Sequence, residues 1–383
     1  MKKICIVVTI PATIINFVLD IAKYLHNEKG YDVTVMCDRD DNFKELLPDY
    51  IHYIPIPMSR GINLSGFKAI KKFRKVFKQE KFDLVQYATP NASFYASMAA
   101  KKECIPIRLY GQWGMRYVGF SGIKRKLFKF LEKIVCNNST HIFAVSPMNM
   151  EFAIDEKLYS RDKVRVVGNG GTIGVDMKAY DIGSKEAWRN RIRGKYAITQ
   201  STFLFGFAGR IAADKGCKEL LFAFKELSQT NANVKLLIIG PAEEDTGVDE
   251  DLWSWAKNSD RVIFTGRVNN ADMKEYYAAI DILVHPTYRE GFGMVIQEAG
   301  ALAIPVITTK IPGASEVMVE DESCILVNPR DAEALKVAML KAVEDRELVI
   351  RLGKAAYERT QKLYDRPIML KNQKEAFESL LEN

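Results

Sequence analysis

The sequence predicts an α/β protein of two Rossmann-like domains, each a parallel sheet covered by helices on both faces. Three observations predict it. The chain has 383 residues, about two domains of ordinary size. Apolar runs of strand length alternate with amphipathic runs of helix length in both halves, and that alternation implies parallel strands joined by helical crossovers. A stretch with four glycines, residues 167–176 (VGNGGTIGVD), lies between the halves. The expected limits are 1–180 for the first domain and 201–365 for the second, with a connecting segment at 181–200 and a last helix in 366–383.

The elements of the first half follow in order. Residues 1–11, MKKICIVVTIP, imitate a signal peptide, with two lysines before an apolar run. Pro11 cuts that run short and no small-residue cleavage site follows, so residues 3–9 read as a first buried strand. Further strands are expected at 32–37, 50–54, 84–87, 106–110, 142–145 and 164–167. Helices are expected at 13–27, 67–79, 92–101, 124–136 and 148–159. Ligands of such sheets bind at the C-terminal ends of the strands. That nominates the loop 9–13 with Pro11 and Ala12, the loop 87–91, and 111–120 with Trp113 and Arg116. The last loop, dense in glycine and aromatics, suits sugar stacking or phosphate binding, or is a tight turn with packed aromatics.

The second half opens with a strand at 203–208 and a loop, Gly209-Arg210 to Lys215-Gly216. A guanidinium and an ammonium at a strand's end could hold a diphosphate, or form a surface ion-pair loop. A helix follows at 218–227, then strands at 234–240 and 261–265 and a helix at 271–280. Residues 178–200 are polar, basic and weakly periodic, as in a connecting segment. Strands at 305–308 and 324–327 and helices at 331–342, 347–363 and 367–381 complete the chain.

Residues 281–303, DILVHPTYREGFGMVIQEAGALA, organise the rest. They read as strand, glycine-bearing turn and buried helix, with Glu298 about two turns into the helix. The N–H groups that open a helix lack intrahelical acceptors and attract anions. Gly291 and Gly293 allow close approach of a ligand. Glu290 and Glu298 flank the turn, and carboxylates beside an anion site make sense where phosphate sits between hydroxyl-bearing groups.

The string EGFGMVIQEA, with Glu290 and Glu298 eight residues apart, resembles the E-x7-E signature of retaining family 4 glycosyltransferases of the GT-B fold. The resemblance implies two Rossmann-like domains facing each other across a cleft, with the last helix crossing back to the first. It also implies a bacterial enzyme of polysaccharide or lipid-linked glycan assembly. Arg210 and Lys215 would clamp the donor's diphosphate. Glu290 would contact the donor sugar and Glu298 the ribose. Gly209, Arg267, Val268, Gly291, Phe292, Gly293 and Met294 would line the donor site, the base being held largely by backbone near Gly266 to Val268. Relatives often carry a histidine where Trp113 stands, and a glycine pair where the loop 9–13 reads TIPAT. The reaction expected is transfer from a nucleotide-sugar, with a UDP-sugar as the expected donor, to a glycan, without metal or other cofactor. Two rivals share parts of this reading: a non-hydrolysing UDP-sugar epimerase and a non-catalytic nucleotide-sugar-binding protein.

Composition bounds location and partners. With 48% hydrophobic and 27% charged residues the chain reads as a soluble globular protein. The six scattered cysteines form no C-x-x-C pair, and the four histidines make no metal motif, so a cytoplasmic protein with a reduced core is expected. Charge is uneven: residues 1–200 hold 33 Lys/Arg against 19 Asp/Glu, and 201–383 hold 22 against 29. The excess gathers in 67–81 and 122–135. These read as helices with apolar faces at Phe67, Ile70, Phe73 and Phe77 and at Ile123, Leu127, Phe130, Leu131 and Ile134. Their basic faces are solvated, or lie on anionic lipid as a peripheral contact with the inner face of the cell membrane; nucleic acid is the least favoured partner. The acceptor expected is a glycan, free or on polyprenyl diphosphate.

Overall fold

A computed structural model describes residues 1–58 and 65–382. The chain divides into two compact units, residues 1–173 with 367–383, and residues 174–366. The expected boundary near 180 therefore falls earlier. The expected connector, 181–200, belongs to the second unit.

In the first unit the strands are β1 (Lys3–Val7), β2 (Asp32–Cys37), β3 (Ile51–Pro55), β4 (Leu84–Ala88), β5 (Ile107–Gln112), β6 (His141–Ala144) and β7 (Val164–Val166). Among the described residues they form one parallel sheet of order β3-β2-β1-β4-β5-β6-β7. The helices are α1 (Pro11–Phe17), α2 (Leu19–Asn27), α3 (Ser65–Glu80), α4 (Pro90–Lys102), α5 (Gly122–Asn138) and α6 (Pro147–Asp155). A single helix was expected at 13–27. Instead the helix starts at Pro11, whose fixed φ and missing N–H suit a first turn, and it breaks at Val18 (φ −122°). Pro11 and Ala12 thus open α1 and are not loop residues.

The second unit holds β8 (Phe203–Ala208), β9 (Val234–Ile239), β10 (Val262–Gly266), β11 (Ile282–His285), β12 (Val306–Thr309) and β13 (Cys324–Val327). They form a parallel sheet of order β10-β9-β8-β11-β12-β13. Around it lie α7 (Lys185–Lys195), α8 (Cys217–Thr230), α9 (Glu250–Asn258), α10 (Met273–Ala279), α11 (Met294–Gly300), α12 (Ala332–Glu344) and α13 (Arg346–Leu363). The last helix, α14 (Arg366–Leu381), packs Phe377 edge-on against Phe143 of β6 and so belongs to the first unit.

The inner strands of both sheets are largely buried and apolar, as in sheets covered on two faces. In each, the chain winds outward from a central strand, then returns to that strand's other side. The reversals fall between β1 and β4 and between β8 and β11. Such switch points leave a crevice beyond the strand ends.

The segment expected to be a connector is α7, anchored by charge. Arg189 and Arg193, one turn apart, reach the two carboxylate oxygens of Asp281 at 2.8 and 2.9 Å. Asp281 also accepts the N–H of Leu204 at 2.7 Å. Arg193 is buried and donates besides to the carbonyls of Ala279, Thr199 and Thr202. Five of the six cysteines are buried; Cys104 is exposed, and all six are free thiols.

The faces expected on the basic helices are only partly those observed. On α3, Phe73 and Phe77 are buried but Phe67 is exposed. On α5, Ile123, Leu127 and Phe130 are exposed at 87%, 53% and 62%, while Val135 and Cys136 enter the core with Phe128 packed against it. Three large apolar side chains at helical spacing therefore face outward, beside Lys124 and Lys126 in the sequence.

Candidate active site

The second unit's switch point is built by two loops, 209–216 after β8 and 286–293 after β11. They interlock through backbone. The carbonyl of Asp214 accepts the N–H of Tyr288 at 2.9 Å and the hydroxyl of Thr287 at 3.2 Å. The Asp214 carboxylate holds Arg289 at 2.8 Å. Gly216 closes the junction at φ +68°, and a Cβ there would stand 2.0 Å from the carbonyl oxygen of Pro286. No other residue type meets both demands. Gly293 likewise adopts a left-handed conformation (φ +44°) to start α11.

This interlock brings Lys215 to Glu290. The ammonium stands 2.9 Å from Oε2 of Glu290, with both side chains largely buried. His285, at the end of β11, places Nε2 3.0 Å from the same oxygen, so Nε2 carries the proton and donates. The N–H of Gly291 donates to the other oxygen, Oε1, at 3.1 Å. Burial alone would raise the Glu290 pKa. The Lys215 charge and the His285 hydrogen bond overcome it and hold the carboxyl far below its usual range. Burial lowers the His285 pKa, so the imidazole is neutral. Sequence reasoning passed over His285, which read only as the end of an apolar strand; its Nδ1 is buried without a partner.

Arg210 is about half exposed and paired with Glu243, with Asp214 at 3.9 Å. It lies on the same loop as Lys215, beyond Gly209. Arg267 and Val268 follow β10, the edge strand, two strands away from β8. Phe292 is buried against Tyr364. Met294 is the first residue of α11.

Glu298 lies about one turn into α11, not two, because the helix starts only at Met294 and runs seven residues. It is partly buried and turned toward two tyrosines. Tyr277 of α10 donates to its Oε2 at 2.8 Å, and Tyr180 is a second hydrogen-bond partner. Burial outweighs both bonds and pushes its pKa up to about 7. The two carboxylates of the motif are thus set oppositely, Glu290 firmly ionised and Glu298 poised near neutrality.

Of the four residues expected on the acceptor side, Trp113 and Arg116 line different pockets. Trp113 lines a cavity, open in part to solvent, with Phe17, Gln86, Gln373 and Phe377. Arg116 lines another, also open in part to solvent, between α4 and α5. Pro11 and Ala12 line neither. The first unit's switch point is marked instead by Thr9 and Thr89, whose hydroxyls meet at 2.7 Å. Thr89 takes φ +67°, a strained conformation for a β-branched residue, which no local sequence signal announced. Among the described residues, no three His, Cys, Asp or Glu side chains gather as metal ligands would.

Two doubly wound units, one with a cation–carboxylate pair at its switch point, define the class: this is a GT-B glycosyltransferase fold. Sucrose-phosphate synthase from Thermosynechococcus elongatus superposes with a TM-score of 0.80 over 100% of both chains, at 19% identity. Family models for "Glycosyl transferases group 1" and "Glycosyltransferase Family 4" match residues 189–359 and 15–171. The capsular polysaccharide biosynthesis glycosyltransferase CapM of Staphylococcus aureus is 30% identical over 344 residues, 89% of this chain and 88% of that protein. The chain belongs to the group 1, family 4 glycosyltransferases. A second relative is the UDP-Gal:alpha-D-GlcNAc-diphosphoundecaprenol alpha-1,3-galactosyltransferase of Escherichia coli. It is 23% identical over 335 residues, 85% of this chain and 83% of that protein. Membership sets aside the epimerase and the non-catalytic binding protein as readings of this chain.

Proposed function

We propose that the protein is a retaining hexosyl- or N-acetylhexosaminyltransferase that moves a sugar from a UDP-sugar to a glycan on polyprenyl diphosphate, in the synthesis of a cell-surface polysaccharide. The observation that carries the proposal is the Lys215–Glu290 pair, held at the switch point of the second unit by loops from neighbouring strands. A diphosphate leaving group needs positive charge where the glycosidic C–O bond breaks. Lys215 supplies it from a fixed position, and Arg210 can exchange Glu243 for a phosphate oxygen. Glu290, ionised and clamped, accepts a hydroxyl hydrogen bond from the donor sugar and orients the ring. Glu298 accepts from the ribose. With two cations at the diphosphate, the reaction proceeds without a metal, and the acceptor hydroxyl attacks on the face the diphosphate leaves.

The acceptor half of the reading draws on names and on charge. The E. coli relative's name states a UDP-sugar and a diphosphoundecaprenol-linked acceptor, and the S. aureus relative's name states capsule synthesis. The basic first unit suits such an acceptor at an anionic membrane. Ile123, Leu127 and Phe130 stand exposed beside Lys124 and Lys126, the pattern of a helix lying in a lipid interface. No described helix is long and apolar enough to cross a membrane. The decisive assay mixes protein, a UDP-sugar panel and polyprenyl-diphosphate-linked N-acetylglucosamine. Acceptor-dependent UDP release with a retained anomeric linkage is expected; inversion, or release that ignores the acceptor, contradicts the reading. Flotation with anionic vesicles at low salt should carry the protein upward, and Phe130→Asp should weaken this. Equal recovery with neutral vesicles overturns the membrane contact.

A further inference from the structure

The pocket between α4 and α5 contains a carboxylate that the proposed chemistry does not use. Glu132 sits in a lysine-rich helix, where a glutamate would ordinarily pair with a surface lysine. Instead it turns inward. Its Oε1 accepts the hydroxyl of Tyr110 at 2.7 Å and the amide of Gln112 at 3.0 Å. Gln112 is fixed in turn by the hydroxyl of Tyr159, which donates to its Oε1 at 2.7 Å. Two side chains of β5 thus hold one oxygen of Glu132, and neither bond is to a cation. Burial raises the pKa of Glu132, against both hydrogen bonds.

Across the pocket stands Ser93, in the first turn of α4. It is 1% exposed, and its hydroxyl finds no partner. A buried hydroxyl without a partner costs free energy unless something else fills the need. Between Ser93 and Glu132 the walls are the rings of Phe94, Phe128 and Tyr110, with the Arg116 guanidinium 4.8 Å from the Phe128 ring. The pocket opens beside the β1/β4 switch point, since α4 begins directly after the strained Thr89.

We propose that this pocket is a sugar subsite: Glu132 and Ser93 hydrogen-bond vicinal hydroxyls of one pyranose ring while Phe94 or Phe128 covers its apolar face. Carboxylate, hydroxyl and aromatic face together match an alternation of hydroxyls and C–H groups, and match neither a phosphate, which a carboxylate repels, nor a purely apolar chain. Resting on the transferase reading, the subsite would seat a sugar of the acceptor glycan, placing acceptor recognition between α4 and α5 and away from the Trp113 cavity.

The test uses the full chain and soluble probes: the methyl glycosides of glucose, galactose, N-acetylglucosamine and rhamnose, observed by saturation-transfer NMR. At least one should bind the wild type in the millimolar range. Glu132→Gln and Ser93→Val should each weaken it by at least about tenfold, the loss expected for a hydrogen bond to a charged or buried group. A Trp113→Ala variant should leave glycoside binding unchanged. Thermal stabilisation by UDP is measured on the same samples. UDP stabilisation retained, with no glycoside bound or with binding indifferent to both substitutions, overturns the subsite alone. Loss of glycoside binding only in Trp113→Ala moves the site to the other cavity and also overturns it. Absence of UDP stabilisation in the wild type overturns the transferase reading instead. Acceptor KM for lipid-linked N-acetylglucosamine, raised tenfold in Glu132→Gln with donor KM unchanged, assigns the site to the acceptor; an unchanged acceptor KM overturns that assignment.

Discussion

Donor affinity should fall as pH falls through neutrality, and Glu298 should be the cause. Its pKa of about 7 reflects burial that two tyrosine hydrogen bonds only partly offset. A ribose hydroxyl donates to a carboxylate but gains less from a neutral acid that keeps its own proton. Binding therefore selects the ionised form and expels a proton when the free site is protonated. With a free-site pKa of about 7, roughly nine-tenths of the protein is ionised at pH 8 and one-tenth at pH 6, so the apparent dissociation constant should rise about tenfold, about 1.4 kcal/mol. The sign for folding is opposite. A carboxyl whose folded pKa is raised stabilises the fold at acid pH, and that contribution is lost as pH rises through about 7. Calorimetric titration of a UDP-sugar at pH 6, 7 and 8 checks the affinity; the donor's diphosphate diester does not titrate there, whereas free UDP does. Glu298→Gln, neutral at every pH, should bind weakly and flatly. A wild-type affinity independent of pH, or a Gln variant with the same slope as the wild type, would refute the reasoning.

Two further outcomes follow from the geometry. Asp281→Asn leaves buried Arg193 without its counter-charge, which costs about 3–5 kcal/mol; at about 2–4 °C per kcal/mol for a unit this size, the melting temperature should fall by roughly 6–20 °C, and a fall of under 2 °C sinks the anchoring role of α7. Lys215→Met removes the fixed cation of the site, so kcat should fall about 10²–10³-fold in the transfer assay, with the far-ultraviolet spectrum unchanged; wild-type kcat would dismiss the clamp.

The two sheets were legible because their strands are short apolar runs bounded by glycine, proline and polar turns. The site loops were legible for the same reason, glycines flanking charged residues at strand ends. Other features were hidden because they depend on distant partners. The buried face of α7 is made partly of arginines, and their partner Asp281 lies about ninety residues on; read locally, the segment is simply basic. Glu132 sits among lysines and Ser93 among alanines, so the first reads as surface and the second as a small core residue. Only the packing of α4 on α5 turns both toward one pocket. The break at Val18 carries neither proline nor glycine, so periodicity ran through it. The apolar stripe of α5 was visible, but helical spacing cannot say whether such a stripe faces protein or solvent; Ile123, Leu127 and Phe130 face solvent.

The central claim is that the second unit binds a UDP-sugar through the Lys215–Glu290 site and Glu298. Thermal stabilisation by UDP, GDP, NAD and a UDP-sugar panel tests it most directly, since a ligand at about 100 times its dissociation constant adds roughly 2.7 kcal/mol. UDP and at least one UDP-sugar should raise the melting temperature of the wild type, and Glu298→Ala should abolish the rise. Stabilisation by NAD alone, or by UDP equally in the wild type and Glu298→Ala, would contradict the account.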